Sequence, residues 1–402
     1  MIKMIKIKAQ GLKLFHEPLE IDFYARQRVT EEDESVVPLF SYRGLNLSTH
    51  NVIAFSGLNA SGKTMVLNTI LMVLNLLNGN YMEFGEEILN LFEGNNPVEL
   101  NILFEENHDL YCLYSVIQVL TSNGRRSLAI IDEKLYRKHL KDIKSKKEID
   151  KVTWTEEALL YDRNSEELKV FPNMTSIMYV YHLNHPAKID YCEDDRSDEI
   201  DEILQAENPM LPEILNYLDP SIEYLKIRNL KDARSDIRLK FVNDKNEIKL
   251  DRAEQLEFYL SSGTIKGINL LSGIFRVLEN GGYVIVDEIE NHFNREIVAA
   301  VIRMFMNRTW NRSGAVLLFT THYPELLDRF ERNDDIYITR HGEKGITVSP
   351  MSEELKRNDL KRSEVLRSDY LGGTAPSYDA YMNMRKKFIS LADEAASNGG
   401  QK

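Results

Sequence analysis

Residues 57–64 read Gly-Leu-Asn-Ala-Ser-Gly-Lys-Thr, an uninterrupted G-x-x-x-x-G-K-[ST] phosphate-binding loop. The six residues before it, Asn-Val-Ile-Ala-Phe-Ser at 51–56, read as a buried strand. Apolar residues then recur at helical spacing over 65–77. Strand, loop and helix start stand in the order the motif needs. Backbone N–H groups of such a loop wrap phosphate oxygens, and the helix N-terminus adds partial positive charge. The expected ligand contacts are Gly57, Asn59, Ala60, Ser61, Gly62, Lys63 and Thr64. Lys63 would meet the β- and γ-phosphates, and the Thr64 hydroxyl would meet Mg²⁺. A Gly/Ser turn that happens to precede Lys-Thr is the plain alternative.

Farther along, 283–288 reads Tyr-Val-Ile-Val-Asp-Glu, an apolar strand ending in two carboxylates. At the C-terminal edge of a parallel sheet such groups face the ligand crevice. Asp287 is placed to hold Mg²⁺, which wants hard oxygen ligands and keeps several waters. Glu288 is placed to polarise an attacking water. Residues 260–264, Leu-Ser-Ser-Gly-Thr, open a helix expected over 265–278. Ser262 and Gly263 there offer a hydroxyl and free N–H groups, a second anion site, although an ordinary serine N-cap also explains them. One chain already owns a phosphate loop, so this second helix start suits a nucleotide sandwiched between two copies. Thr320-Thr321-His322 ends the next apolar strand, where an imidazole is placed to hydrogen-bond the γ-phosphate.

The 402 residues suffice for one large α/β domain with an insertion, or for two domains. Hydrophobic residues make up 43% and charged ones 28%, an ordinary globular balance. No stretch approaches the roughly 18 apolar residues that span a bilayer. The opening residues alternate like a strand rather than forming a signal-peptide core, so no membrane and a cytoplasmic location are expected. Two cysteines, Cys112 and Cys192, exclude a disulfide framework. A net charge of −13 does not advertise broad nucleic-acid binding. A basic run over 134–151 leaves nucleic acid open as a partner, with a solvated helix face as the simpler reading.

Strands are expected at 2–8, 19–24, 98–105, 110–119 and 127–132, the last three as an antiparallel extension. Further strands are expected at 222–227, 236–242, 247–250, 283–287 and 315–320, with helices at 265–278 and 295–306. Alternation of this kind argues for a largely parallel sheet. Between them, 134–234 reads as an insertion with a basic helix, a strand at 176–182 and acidic helical turns at 194–205. The tail from 392 is expected to fray. His182, His185 and Cys192 match no closed zinc pattern. The turn at 371–376, with Tyr378 and Tyr381 after it, reads as packing or a partner contact.

In this order, GLNASGKT, LSSGT, YVIVDE and TTH resemble the ABC-type ATPase head shared by SMC, RecF and OLD-family proteins. The stretches DEIENHFN at 287–294 and TTHYPELLD at 320–328 are most similar to bacterial AAA-family ATPases of phage defence, such as the RloA/AbiLi group, the PARIS ATPase and Septu PtuA. The resemblance implies an α/β P-loop fold with a mixed or parallel core sheet, helices, an antiparallel β lobe and an α-rich insertion. The parts would be 1–133, 134–234, 235–350 and a helical extension at 351–402.

It also implies ATP and Mg²⁺ as ligands and ATP hydrolysis as the activity. Lys63 and Thr64 fall in the Walker A loop, and Asp287 and Glu288 in Walker B, with Glu288 the catalytic carboxylate. Ser262 and Gly263 fall in the signature loop, Glu290 and Asn291 in the D-loop, and His322 at the switch histidine. The signature departs from the transporter form LSGGQ, and only Gln118 offers itself as a Q-loop residue. Closure of two copies on ATP implies a homodimer or higher homo-oligomer. Residues after His322 leave little room for a nuclease domain, so a separate effector is expected. The leading expectation is an ATP-gated sensor or scaffold in phage defence. The alternative is a RecF-like or SMC-like DNA-repair ATPase.

Overall fold

Strands buried on both faces carry uninterrupted apolar runs, and three of them form the centre of the computed structural model. It describes residues 2–122, 124–193, 209–229, 235–291, 293–357 and 359–399. In chain order come β1 (Lys3–Gln10), β2 (Leu19–Asp22), β3 (Val36–Tyr42), β4 (Leu45–His50), β5 (Val52–Ser56), α1 (Lys63–Leu77), β6 (Val98–Glu106), β7 (Asp109–Ser122) and β8 (Arg125–His139). Then follow β9 (Leu159–Asp162), β10 (Tyr191–Glu193), α2 (Leu211–Leu218), β11 (Ile222–Asn229), β12 (Ser235–Phe241), β13 (Ile248–Leu250), α3 (Ser262–Asn280) and β14 (Tyr283–Val286). The last elements are α4 (Arg295–Met306), β15 (Val316–Thr321), β16 (Ile336–Gly342), β17 (Gly345–Pro350) and α5 (Tyr378–Gly399).

The core sheet has the order β10-β14-β15-β5-β16-β17 and is parallel except for the edge hairpin β16–β17. An antiparallel sheet, β2-β1-β6-β7-β8-β9, lies beyond α1. Side chains alternate across each core strand. Tyr283 and Ile285 join α1 and the antiparallel sheet in one core, while Val284 and Val286 join α3 and α4 in the other. The fold is therefore α/β, with a mostly parallel core sheet, flanking helices and an antiparallel lobe.

Two tyrosines tie the layers. β1 changes register between Met4 and Lys6, and the Met4 N–H donates to the Tyr283 hydroxyl at 2.7 Å. The Asp22 N–H donates to the Tyr337 hydroxyl, also at 2.7 Å. Both tyrosines are buried.

Several elements differ from expectation. Residues 134–139 continue strand β8 instead of opening a basic helix, because β7 is long enough to pair with all of it, Tyr114 opposite Lys134 and Asp109 opposite His139. The expected strand at 176–182 is the helix Met178–Asn184. Its buried side chains, Met178 and Tyr181, stand three residues apart, on one helix face with Ile177 just before them. The same stretch is pinned by buried Glu133, which accepts from the Ile177 N–H and the Ser176 hydroxyl, each at 2.7 Å. Within 134–234, β9 joins the antiparallel sheet and β10 the core sheet, so this segment shares strands with both. The acidic turns expected at 194–205 lie outside the described residues. The tail expected to fray from 392 is helical to 399. No described helix is long and apolar enough to cross a membrane.

Tyr283→Phe strands the buried Met4 N–H, and an unsatisfied buried donor costs about 1–3 kcal/mol. A urea titration should show a lower midpoint with an unchanged slope. An unshifted midpoint would mean that this bond does not join the layers.

Candidate functional site

β5 ends at Ser56, and the chain turns through 57–62 into α1. Gly57 has no room for a side chain, since a Cβ would stand 2.3 Å from Thr339 O. Gly62 takes φ 97°, and a Cβ there would strike Ile346. Ser61 is buried and shares a 2.6 Å hydrogen bond with Thr339. Asn59 and Ala60 are exposed at the tip. Side chains cap α3 and α4 at Ser261 and Asn294, but α1 has no side-chain cap and no acidic residue in its first turn. Its first N–H groups are thus left for an anion.

The parallel register delivers the carboxylates to this loop. Val286 pairs with Phe319 and Phe319 with Ala54, so β14, β15 and β5 end side by side. Asp287 accepts from the Thr64 hydroxyl through Oδ2 and from the Thr320 hydroxyl through Oδ1, each at 2.6 Å. Thr320 Oγ1 also accepts the Glu288 N–H at 2.6 Å. Glu288 has φ 48°, a costly left-handed conformation for a non-glycine residue. Its carboxylate accepts from Asn291 Nδ2 at 2.6 Å and lies 3.2 Å from His322 Nε2. The His322 N–H donates to Glu290 at 2.6 Å. His322 Nδ1 stands 3.5 Å from Lys63 Nζ.

Lys63 is buried and donates to the carbonyls of Gly57 and Leu58, both at 3.0 Å. Burial holds its ammonium below the usual lysine pKa, an effect opposed by Glu288, Asp287 and Glu290. A polyphosphate would supply the anion this ammonium lacks. Thr64 and Asp287 together present the hard oxygens that suit Mg²⁺. The donor set therefore fits Mg²⁺ and a triphosphate.

Lys63, Thr64, Asp287, Glu288 and His322 thus converge. Ser262 and Gly263 do not join them. They are exposed at the start of α3, and a Cβ on Gly263 would meet only Ser261 Oγ, at 3.8 Å. Gln118 sits in β7 opposite Ala129 and donates to Asn95 O. His182 binds the Leu77 carbonyl at 2.7 Å, and His185 stacks on Tyr181. Sequence reasoning missed the roles of Thr320 and Thr339. A signal existed for Thr320, since a threonine beside Asp287 on a neighbouring parallel strand can reach its carboxylate, but not for Thr339, which meets Ser61 from β16.

Residues 52–328 match the family model described as AAA domain, putative AbiEii toxin, Type IV TA system. The chain belongs to this AAA-domain family. The matched span of the AAA domain begins at β5 and contains every residue of the converging set. No curated protein matches the chain. Among solved structures, the SMC head bound to the C-winged helix domain of ScpA is 14% identical, covering 88% of this chain and 99% of its own, with a TM-score of 0.42. The recombination mediator RecF with ATPrS is 10% identical, covering 86% and 98%, with a TM-score of 0.37. RecF with ATP is 11% identical, covering 87% and 98%, with a TM-score of 0.35.

Thr320→Val keeps the side-chain shape but removes both hydroxyl bonds. It should weaken Mg²⁺-dependent binding of a fluorescent ATP analogue about tenfold, a loss of the size expected for charge-assisted hydrogen bonds. Thr320→Ser should bind like the parent. Equal affinities for the valine variant and the parent would remove Thr320 from the site.

Proposed function

We propose that this chain is a cytoplasmic ATPase that binds ATP with Mg²⁺, closes as a homodimer or higher homo-oligomer, and gates a separate effector in anti-phage defence. The observation that carries the nucleotide reading is the convergence of Thr64 with Asp287, and of Lys63 with His322 and Glu288, at the uncapped start of α1. Lys63 leaves the loop carbonyls to bind the β- and γ-phosphate oxygens. Thr64 and Asp287 would hold Mg²⁺, which would supply charge neutralisation to those oxygens. Glu288, fixed by Asn291 and the Thr320 clamp, orients a water in line with the γ-phosphorus and draws off its proton. The water oxygen bonds to the γ-phosphorus as the bond from phosphorus to the β-bridging oxygen breaks, giving ADP and phosphate. His322 shifts from Glu288 to the γ-phosphate and carries its state to Glu290.

Ser262 and Gly263 are assigned to a second copy's nucleotide. Their exposure supports this, because they touch nothing in their own site. Closure follows if the closed pair binds ATP more tightly than the open chains do. Defence is supported by the family description, a toxin of a toxin–antitoxin system, and by the likeness at 287–294 and 320–328. The effector, a nuclease in this reading, should be encoded nearby.

The DNA-repair alternative rests on the basic run, and four of its eight Lys and Arg side chains have the following partners. Lys134 pairs with Asp162 at 3.6 Å and Arg137 with Asp109 at 3.0 Å. Lys146 donates to Ala25 O at 2.5 Å. Lys138 donates to Thr153 O and lies over Trp154.

Lys63→Ala should abolish nucleotide binding. Glu288→Gln should still bind ATP but lose turnover by roughly 10²–10⁴-fold, the usual share of a general base, and should accumulate as a closed oligomer. Normal turnover in both variants would refute the site. Phage challenge of cells expressing the chain with its neighbouring gene tests the defence role. Protection lost with Lys63→Ala supports it, whereas steep, salt-sensitive, ATP-dependent DNA binding would favour repair.

A further inference from the structure

The helix α5 is unlike the other long helices. α1, α3 and α4 each bury an apolar stripe, whereas no residue of α5 from Tyr378 to Ala392 is buried. Four of its apolar residues are nevertheless ordered, with Tyr378, Met382 and Ile389 flanking them on one side. Tyr381, Met384, Phe388 and Leu391 are 54%, 65%, 72% and 50% exposed, and their 3-4-3 spacing makes one seam along the helix. Asn383, Arg385, Lys386, Lys387 and Ser390 fill other faces. A 22-residue helix is about 33 Å long, and helices of globular proteins owe most of their stability to packing of such a face. Left in water, this seam has nothing to hold it.

We propose that the α5 seam pairs with α5 of a second copy, a tether that joins two chains without nucleotide. Three observations favour this occupant. A 3-4 seam is the pattern that interlocks with a helix of the same repeat, with knobs from one entering holes in the other. The area is adequate. At 50–72% exposure these four side chains can lose roughly 100–150 Å² each, so a pair of helices buries up to about 1,000 Å², the lower bound for a specific interface.

Position is the third. The segment entering α5 is fastened beside the phosphate loop. Arg340, near the end of β16, donates to Gly372 O at 2.8 Å and Leu371 O at 3.0 Å. Asp369 accepts from the N–H groups of Thr374 at 2.7 Å and Ala375 at 3.1 Å. The neighbouring His341 ring meets Ala60 O in the loop at 3.1 Å. α5 therefore leaves the domain at the rim of the face on which the proposed second copy closes. Paired tails would hold the two faces at high effective concentration, so that a weak ATP-dependent contact becomes intramolecular.

The position argument rests on the proposed ATP-dependent closure, but the pairing itself needs no nucleotide, so the two are measured apart. Light scattering after gel filtration of the full chain, without nucleotide at tens of micromolar, should give a dimer. Met384→Glu and Phe388→Glu should each give a monomer that still binds the fluorescent ATP analogue, because both side chains are exposed and lie outside the nucleotide site. In the Glu288→Gln background with ATP, Phe388→Glu should still close, at a protein concentration raised about tenfold or more. A nucleotide-free parent that is monomeric would overturn the tether, as it would if a different protein covers the seam. So would a dimer that Phe388→Glu leaves intact. Failure of the ATP arm alone would count against the closure and leave the tether standing.

Discussion

Asp287 can serve the site only because β14 stops at Val286, opposite Phe319, and so sets it beside Thr320 near the ends of β15 and β5. Its two oxygens are taken by hydroxyls from two different places, Thr64 at the start of α1 and Thr320 at the end of β15. Neither threonine lies near Asp287 in sequence. The register that aligns Val286 with Phe319, and Phe319 with Ala54, brings them within bonding distance. A slip of one residue in any pair would turn the hydroxyl or the carboxylate to the other face. The apolar strands and helices behind them therefore act as a jig for one small cluster of oxygens.

The same cluster holds groups away from their preferred states. Lys63 is charged yet buried against carbonyls. Glu288 adopts a backbone angle that non-glycine residues avoid, secured by the Thr320 hydroxyl, Asn291 and His322. Each departure costs stability, and in the proposed mechanism each is relieved or put to use when a polyphosphate enters. Order of this kind set before the ligand arrives is what electrostatic catalysis requires, since no reorganisation is then needed at the reacting moment.

Much of this was legible in the residues. GLNASGKT fixes the loop because only glycine fits at 57 and 62, and YVIVDE marks a strand buried on both faces. The rest depended on pairing at long range. β16 closes the phosphate loop from the side through Thr339, 278 residues from Ser61, and no local pattern announces that contact. The hairpin β3–β4 was missed although Arg43 and Gly44, both at positive φ, form the kind of turn that joins adjacent strands. Charge misled at 134–139, where cations on a strand resembled a solvated helix. At 176–182 a short run of mixed apolar residues was compatible with strand and helix alike, and contact with buried Glu133 decided it.

The central claim is that one triphosphate is gripped at the uncapped end of α1 and covered by a second chain. The most direct test is a structure of the protein with Mg²⁺ and a non-hydrolysable ATP analogue. The phosphates should lie along residues 57–64, with the metal about 2.1 Å from Thr64 Oγ1 and an Asp287 oxygen, and with Ser262 and Gly263 of another copy against the γ-phosphate. An analogue held away from Lys63, or bound there with its outer side open to solvent, would contradict the account.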